Sequence, residues 1–346
     1  MKNKVMKSAL LAAGARLSAG AALCLLLAIS STRAGSVDHY IPAIFNIRDY
    51  FLPAEPGIYG GVYNYFYHSD QFNDANGNAV NSISVPPGPG GVTVNVNPDI
   101  NVYALVPVVI WEPCLDLCGI KYGGYIAPSF ANSSLDAEIS TLRGNGVNVG
   151  TSTFGVGDLF VQPVWLGYGL TNFDFSLAYG FYAPVGRYST TTIGPITVPA
   201  PDSIGLGYWT QQFQGAVGVY PWADKRMAIM AALTYQLNSE KHGIDVTPGQ
   251  HLTLNWGISQ YLPLKKDEKL LLEVGPAGYD DWQITDDTGS GAIDASTRDQ
   301  VHAVGGQIGV TCVPLNAALN FKGFYEYSAI DRMQGAAYTI SFVIKF

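Results

Sequence analysis

The residues that could carry out chemistry in this 346-residue chain are few and widely spaced. The histidines stand at positions 39, 68, 242, 251 and 302, without the short spacings of a metal-ligand set. His251 and Ser259 could approach each other on one strand, but no third group that would orient a hydrolase pair accompanies them. Gly205-Leu206-Gly207 is followed by Tyr208 and Trp209, which is not a dinucleotide-binding pattern. We therefore predict no catalytic residue, no metal, no cofactor and no enzymatic activity.

Two acidic pairs, Asp280-Asp281 and Asp286-Asp287, lie close together in the sequence. Carboxylate oxygens are ligands for divalent cations, so one interpretation is a cation site. The other interpretation is solvated charge at the outer end of a long hairpin, and it requires no ligand. The sequence leaves both open, and the solvated loop is the simpler one.

Cys114 and Cys118 flank a segment that is predicted to be a tight turn. An exported chain enters an oxidising compartment, where these two thiols could form a local disulfide. Two free thiols are the alternative. Cys312 lies in an apolar stretch, where its side chain is expected to pack.

The elements that would position these residues are strands. Aromatic residues make up 12% of the chain and charged residues only 13%, about half of the usual share in soluble domains. The 39 glycines and 21 tyrosines favour strands and turns over helices. This composition disfavours a soluble globular protein.

The last ten residues, 337–346, show the strand pattern most clearly. Every second side chain is aromatic or aliphatic: Tyr338, Ile340, Phe342, Ile344 and Phe346. Alternation with a period of two is typical of a strand between two unlike environments, and a terminal Phe is typical of the closing strand of outer-membrane barrels. We expect this strand to pair with the strand before it and with the first strand of the chain, and to present these five side chains to lipid.

Twelve strands are predicted, near residues 57–69, 99–111, 119–132, 153–167, 173–185, 205–220, 226–238, 250–263, 269–284, 298–313, 317–328 and 336–346. Their connections are alternately long and short. Outer-membrane barrels have long hairpins outside and short turns in the periplasm. The predicted fold is therefore all-β, a transmembrane antiparallel barrel of about 12 strands with a short plug-like segment at its N-terminal end.

Polar faces of these strands would line the lumen, because charge on the lipid face is unfavourable. The residues predicted to face inward and to contact a substrate are Asp158, Tyr182, Tyr208, Gln212, Gln236, Asn255, Lys322, Phe324 and Glu326.

Residues 1–34 have the basic start, the short apolar core and the small residues of an export signal peptide. Residues 35–56, called the N-terminal segment below, form a possible plug, and residues 57–346 form the barrel. The signal peptide holds five of the 19 basic residues and none of the 27 acidic ones, which leaves 14 basic residues in the mature chain. The resulting acidic balance argues against a nucleic-acid partner.

Several short motifs resemble the outer-membrane family associated with the meta-cleavage pathway of phenol degradation. They are His39-Tyr40-Ile41-Pro42, Pro56-Gly57-Ile58-Tyr59, Tyr65-Phe66-Tyr67, Gly157-Asp158-Leu159, 183–188 (APVGRY) and Gly205-Leu206-Gly207-Tyr208. The resemblance implies uptake of small hydrophobic or aromatic molecules through a barrel plugged by its N-terminal segment, as in the related long-chain fatty-acid and toluene-type channels. The fatty-acid channels carry Asn-Pro-Ala in the plug, whereas this chain has Ile41-Pro42-Ala43.

The expected function is passive uptake of such compounds across the outer membrane. A structural or surface-interaction barrel and a general porin are the alternatives. The expected partners are outer-membrane lipid and lipopolysaccharide, a small hydrophobic or aromatic solute, and the barrel-assembly machinery, which would recognise the strand ending in Phe346. We expect a monomer.

Overall fold

The computed structural model describes residues 38–80, 82–85, 92–141, 146–193, 196–200, 202–292 and 295–346. The predicted signal peptide lies outside these ranges. Among the described residues, no helix has the length and apolar character needed to cross a membrane.

Twelve antiparallel strands close into a barrel, as the sequence predicts. The strands are β1 Gly57–Phe72, β2 Val92–Glu112, β3 Ile120–Ala127 with Phe130–Thr141, β4 Gly146–Val156 with Leu159–Gly169, β5 Phe173–Ala183, β6 Thr210–Val219, β7 Met227–Asn238, β8 His251–Pro263, β9 Leu270–Gln283, β10 Gln300–Cys312, β11 Ala317–Ile330 and β12 Met333–Lys345.

The terminal strand closes the barrel. β12 pairs with β11 from Ala317↔Ile344 to Tyr325↔Ala336, and it also pairs with β1, where Tyr59 lies opposite Lys345. Both predicted pairings are therefore confirmed. Every strand thus has its backbone groups bonded to neighbours, which is the condition for crossing lipid with strands.

Alternation along the strands sorts side chains between lipid and lumen. Leu177 is 65% exposed on the outer face of β5, and Tyr338 is 46% exposed on the outer face of β12. Thr339 and Ser341, on the inner face of β12, are buried. The inner face of β10 is partly apolar, because Val301 and Ala303 pack in a core that includes residues of the N-terminal segment.

β3 and β4 are each interrupted, which the sequence did not predict. β3 breaks at Pro128 and Ser129, and β4 breaks at Gly157 and Asp158. Beyond the breaks, strand structure occupies much of 133–152, which was predicted to be a loop. The long connection 184–209 lies against this part of the wall, where the Arg187 N–H donates to the Val156 carbonyl at 3.0 Å.

The disulfide proposed from the sequence is absent, because Cys114 and Cys118 are free and exposed. Cys118 and Gly119 are the two central residues of a hairpin turn, with φ of 56° and 87°, between Leu117 and Ile120. Positive φ at both central positions is the conformation of a two-residue type I′ turn. Cys118 is therefore a turn residue of this hairpin and is not bonded to Cys114.

Candidate functional site

The N-terminal segment, described from Asp38 onward, lies inside the barrel. Tyr40, Ile47 and Tyr50 are 3%, 2% and 2% exposed. Below, the end of the barrel that carries the connections 113–119, 220–226 and 264–269 is called the short-turn end, and the opposite end the long-loop end. Asp38 and His39 contact residues near the long-loop end and are called the tip, whereas Arg48 lies at the short-turn end.

At the short-turn end, Arg48 fixes the segment to the barrel. Its two terminal nitrogens donate to the carbonyls of Lys225 and Arg226, both at 2.9 Å, and its Nε donates to Glu273 Oε1 at 3.0 Å. The guanidinium also lies 4.1 Å from the centroid of the Tyr261 ring. A planar guanidinium can make these contacts at the same time because its five donors are fixed in one plane.

In the middle of the barrel, inward-facing side chains satisfy the backbone of the segment. Lys322 donates to the carbonyls of Ile44 and Phe45 at 2.9 and 2.6 Å, and also to that of Ala43. Asn255 Oδ1 accepts the Ala43 N–H at 2.7 Å. These bonds let irregular backbone lie in a water-poor interior, where unpaired polar groups are unfavourable.

At the tip, His39 contacts the wall at the break in β4. Its Nε2 lies 2.9 Å from Asp158 Oδ2, its Nδ1 lies 2.7 Å from Thr210 Oγ1, and its ring stacks on Tyr182 at 4.7 Å. Burial lowers the pKa of His39 below its usual value, and the Asp158 contact opposes this shift. The tip is therefore held mainly through side chains.

Asp158 also holds the loop that covers the tip. One carboxylate oxygen accepts the Gly186 N–H at 2.9 Å, and the other accepts the Leu206 N–H at 2.7 Å. A Cβ at Gly186 would lie 2.7 Å from the Gly157 carbonyl carbon, so the loop can pack this closely only without a side chain there. One carboxylate thus joins the wall, the covering loop and His39.

The second residue of the tip, Asp38, approaches the opposite wall. It forms an ion pair with His251, the first residue of β8. Burial raises the pKa of Asp38 to about 7, and His251 opposes this shift. Lys241, in the loop after β7, lies near both Asp38 and Asp287, and burial lowers its pKa to about 8.

A cavity of about 350 Å³ lies between the N-terminal segment and the wall formed by β2, β3, β4 and β5. Its lining is mostly apolar and includes Ile44 and Phe45 of the segment and Tyr125, Phe160 and Tyr182 of the wall. Ligand pockets in proteins commonly measure about 300–1,000 Å³, are mostly apolar and carry a few polar groups. The cavity meets this description, because Asp38 and Asp158 are among its charged lining residues.

The sequence from residue 60 to residue 342 matches the protein family described as "Putative MetA-pathway of phenol degradation". The chain belongs to this family. Membership confirms the resemblance carried by the short motifs. No curated protein matches the chain.

One solved structure shows the same fold. The chain is similar to the COG4313 outer membrane channel from Pseudomonas putida F1, at 14% identity and a TM-score of 0.58, over 87% of this chain and 100% of that one. It resembles more weakly the β domain of the Bordetella autotransporter BrkA, at 13% identity and a TM-score of 0.43, over 84% and 100% of the two chains. The second likeness is too low to support an argument, and the first shows a barrel of outer-membrane type.

In this member of the phenol-degradation family, all nine residues predicted to line the lumen face inward. Two of them, Asp158 and Tyr182, line the cavity. Tyr208 packs edge-on against His39 with ring centroids 4.7 Å apart. Whether any of the nine contacts a substrate stays a prediction.

The other six predicted residues lie away from the cavity lining. Asn255 and Lys322 bond to the N-terminal segment, and Phe324 packs in a core with Ala43 and Ile47. Gln212, Gln236 and Glu326 are 1%, 1% and 2% exposed. The N-terminal segment therefore covers much of the inner wall. The alternation of side chains along a strand shows which residues face inward, but it does not show that this segment covers them.

The four aspartates considered as a cation site are separated by the fold. Strand alternation turns Asp280 outward, where it contacts His302 at 2.6 Å, and turns Asp281 inward, where it is 2% exposed. Asp286 pairs with Arg298 on the surface at 2.9 Å. The four carboxylates therefore do not form one cluster.

Sequence reasoning missed Asp38, His39 and Arg48 as site residues. They lie in a stretch without strand periodicity, and their partners are more than 100 residues away in the chain. The available signal was the presence of charged residues in a segment predicted to fill an apolar lumen.

Proposed function

We propose that this protein is an outer-membrane channel through which small hydrophobic or aromatic compounds enter by passive diffusion. The observation that carries the proposal is the apolar cavity between the N-terminal segment and the aromatic wall. Family membership and the barrel fold support the same conclusion.

The cavity has the chemistry that a small aromatic solute requires. Tyr125, Phe160 and Tyr182 present ring faces and edges, which favour offset or edge-on contact with another aromatic ring. Its volume of about 350 Å³ accommodates a single-ring compound. Weak binding of this kind suits a channel, because the solute must leave as readily as it enters.

The route requires the tip to move. The cavity is bounded by Ile41 and Ile44 of the N-terminal segment and by Ile204 and Leu206 of the covering loop. Because Asp158 bonds to both parts, release of its contacts would connect the cavity to the long-loop end. The short-turn end of the segment would stay in place through Arg48.

Uptake by intact cells tests the proposal, because lipopolysaccharide is the barrier that apolar solutes meet. A strain lacking the gene is complemented with the wild-type protein or with a variant, and the initial uptake of radiolabelled toluene and phenol is measured. We expect deletion to slow uptake, and Ala104→Phe and Val106→Phe, which fill the cavity, to restore little of it. Leu177→Phe on the lipid face is the matched control and should restore uptake fully.

Three outcomes would contradict the proposal. Unchanged uptake after deletion would favour a structural or surface-interaction barrel. Full restoration by both cavity-filling variants would show that the cavity is not on the route. A large ohmic ion conductance of the purified protein in planar bilayers would favour a general porin.

Maturation and assembly complete the proposal. Residues 1–34 are removed on export, the assembly machinery recognises the strand ending in Phe346, and the mature barrel is a monomer in contact with lipid and lipopolysaccharide. Intact mass and light scattering of the purified protein test two of these points, and we expect a chain beginning at residue 35 or 36 and one copy per particle. Loss of folded barrel on deletion of Phe346 tests the third.

A further inference from the structure

Three potential metal ligands from distant parts of the chain converge where the tip meets the long-loop end of the wall. They are Asp38 of the N-terminal segment, His251 of β8 and Asp281 of β9, and their ligand atoms all lie within 4.8 Å of one another. Their side chains are 7%, 2% and 2% exposed. This group is called the metal-ligand cluster below.

The cluster has unused binding capacity. Asp38 Oδ1 is buried without a hydrogen-bond partner. His251 Nδ1 contacts the other carboxylate oxygen, Asp38 Oδ2. Unsatisfied polar atoms in a protein interior are unfavourable, and they call for a partner.

The surroundings of two of the three ligands resemble the outer groups of metal sites. His251 presents Nδ1 to the cluster, while its Nε2 lies 3.8 Å from Asp299 Oδ2. A carboxylate beside the far ring nitrogen is the usual neighbour of a metal-bound histidine, and Asp299 occupies this place as an ion-pair partner. Asp281 is held in the same way, because Oδ1 accepts the Thr253 hydroxyl at 2.7 Å and Oδ2 accepts an Arg332 N–H at 3.0 Å.

The local charge also favours a divalent cation. Three carboxylates, those of Asp38, Asp281 and Asp299, lie around the His251 ring, and the Arg332 guanidinium pairs with the last two. One divalent cation and this guanidinium together would balance the three carboxylates. Lys241 and Asp287, which lie close by at the long-loop end, add one charge of each sign and leave this balance unchanged.

We propose that Asp38, His251 and Asp281 bind one divalent transition-metal ion of the zinc type. One imidazole nitrogen and two carboxylate oxygens are a ligand set that suits zinc better than magnesium or calcium, which prefer oxygen ligands alone. The bound ion would tie the tip to β8 and β9, so the metal-ligand cluster couples metal availability to the position of the N-terminal segment. Binding itself does not depend on the proposed uptake function.

Calorimetry on the folded, full-length mature barrel tests the site. The protein in detergent is freed of metal with EDTA, dialysed and titrated with ZnCl2 and, separately, with MgCl2. We expect one zinc ion per chain, no heat with magnesium, and affinity weakened about tenfold or more in Asp38→Asn and His251→Gln. Because Asp38 lies outside the strands, we expect Asp38→Asn to fold. A folded barrel migrates differently on a gel before and after heating, and this shift checks that each variant has folded.

His302→Gln is the matched control, because His302 faces a single carboxylate, that of Asp280, on the outer side of the wall. We expect it to bind zinc as the wild type does. Absence of zinc binding would overturn the proposal and leave an ionic contact between the tip and His251. Equal binding by the wild type and by both cluster variants would also overturn it, since the ion would then lie elsewhere.

Discussion

The two ends of the N-terminal segment are attached to the barrel in different ways. At the short-turn end, Arg48 donates to two backbone carbonyls and to the Glu273 carboxylate. The carbonyls belong to the tight turn 220–226 and Glu273 belongs to β9, so rigid elements hold all three acceptors in place. At the tip, the contacts described for Asp38 and His39 are to side chains, and one of these, Asp158, also supports a loop. The comparison indicates that the short-turn end of the segment is anchored to backbone, and we expect the tip to be the part that moves.

Removing the anchor should have the largest effect on stability. Arg48→Ala takes away the cation that faces Glu273, whose side chain is 5% exposed. Removing one partner of a buried ion pair leaves the other uncompensated, so we expect a loss of about 3 kcal/mol in the free energy of unfolding. Urea titration of the protein in lipid vesicles, followed by tryptophan fluorescence, measures this loss.

The control for this change is Arg226→Ala, which removes an ion pair with Glu268 that is 39% and 54% exposed. Exposed pairs contribute about 0–1 kcal/mol, so this variant should unfold close to the wild type. Equal losses in the two variants would contradict the role assigned to Arg48.

The middle of the segment should respond less strongly. Lys322→Met keeps most of the side-chain volume but leaves the Ala43, Ile44 and Phe45 carbonyls without their donor. Loss of partners for buried acceptors is unfavourable, while removal of a buried ammonium is favourable, so we expect a net loss of about 2 kcal/mol. The same urea titration measures it, and a stability equal to or above the wild type would show that the lysine does not hold the segment.

At the tip, a smaller loss of stability should accompany a larger change in permeation. In Asp158→Asn an amide nitrogen replaces one carboxylate oxygen and faces a donor, either the Gly186 N–H or the Leu206 N–H. We expect a loss of about 1 kcal/mol in stability and faster initial uptake of toluene by complemented cells. Asp280→Asn, on the outer face, is the control, and uptake that Asp158→Asn leaves unchanged would argue against movement of the tip.

The sequence predicts the wall of this protein better than its interior, for a physical reason. A strand between lipid and lumen must alternate, so Phe173 and Leu177, or Phe342 and Ser341, reveal their faces within a few residues. The contacts of His39 with Asp158 and of Arg48 with Glu273 join residues 119 and 225 positions apart, and no local pattern encodes them. The breaks in β3 and β4 were missed because Pro128 and Gly157 lie within otherwise acceptable strand patterns.

The smallest effect on stability should come from an exposed ion pair near Arg48. Its removal tests whether the short-turn end is held by buried contacts alone. Glu55 pairs with Lys345 at 2.7 Å, but the Glu55 side chain is 61% exposed. Water and salt screen such a pair, and holding two long side chains together offsets the remaining attraction. Glu55→Gln should therefore leave the midpoint of urea unfolding unchanged within measurement error, at low and at high salt. A shift of the unfolding midpoint as large as that of Arg48→Ala would mean that exposed contacts also anchor the short-turn end. The difference between this end and the tip would then come from the number of contacts and not from their burial.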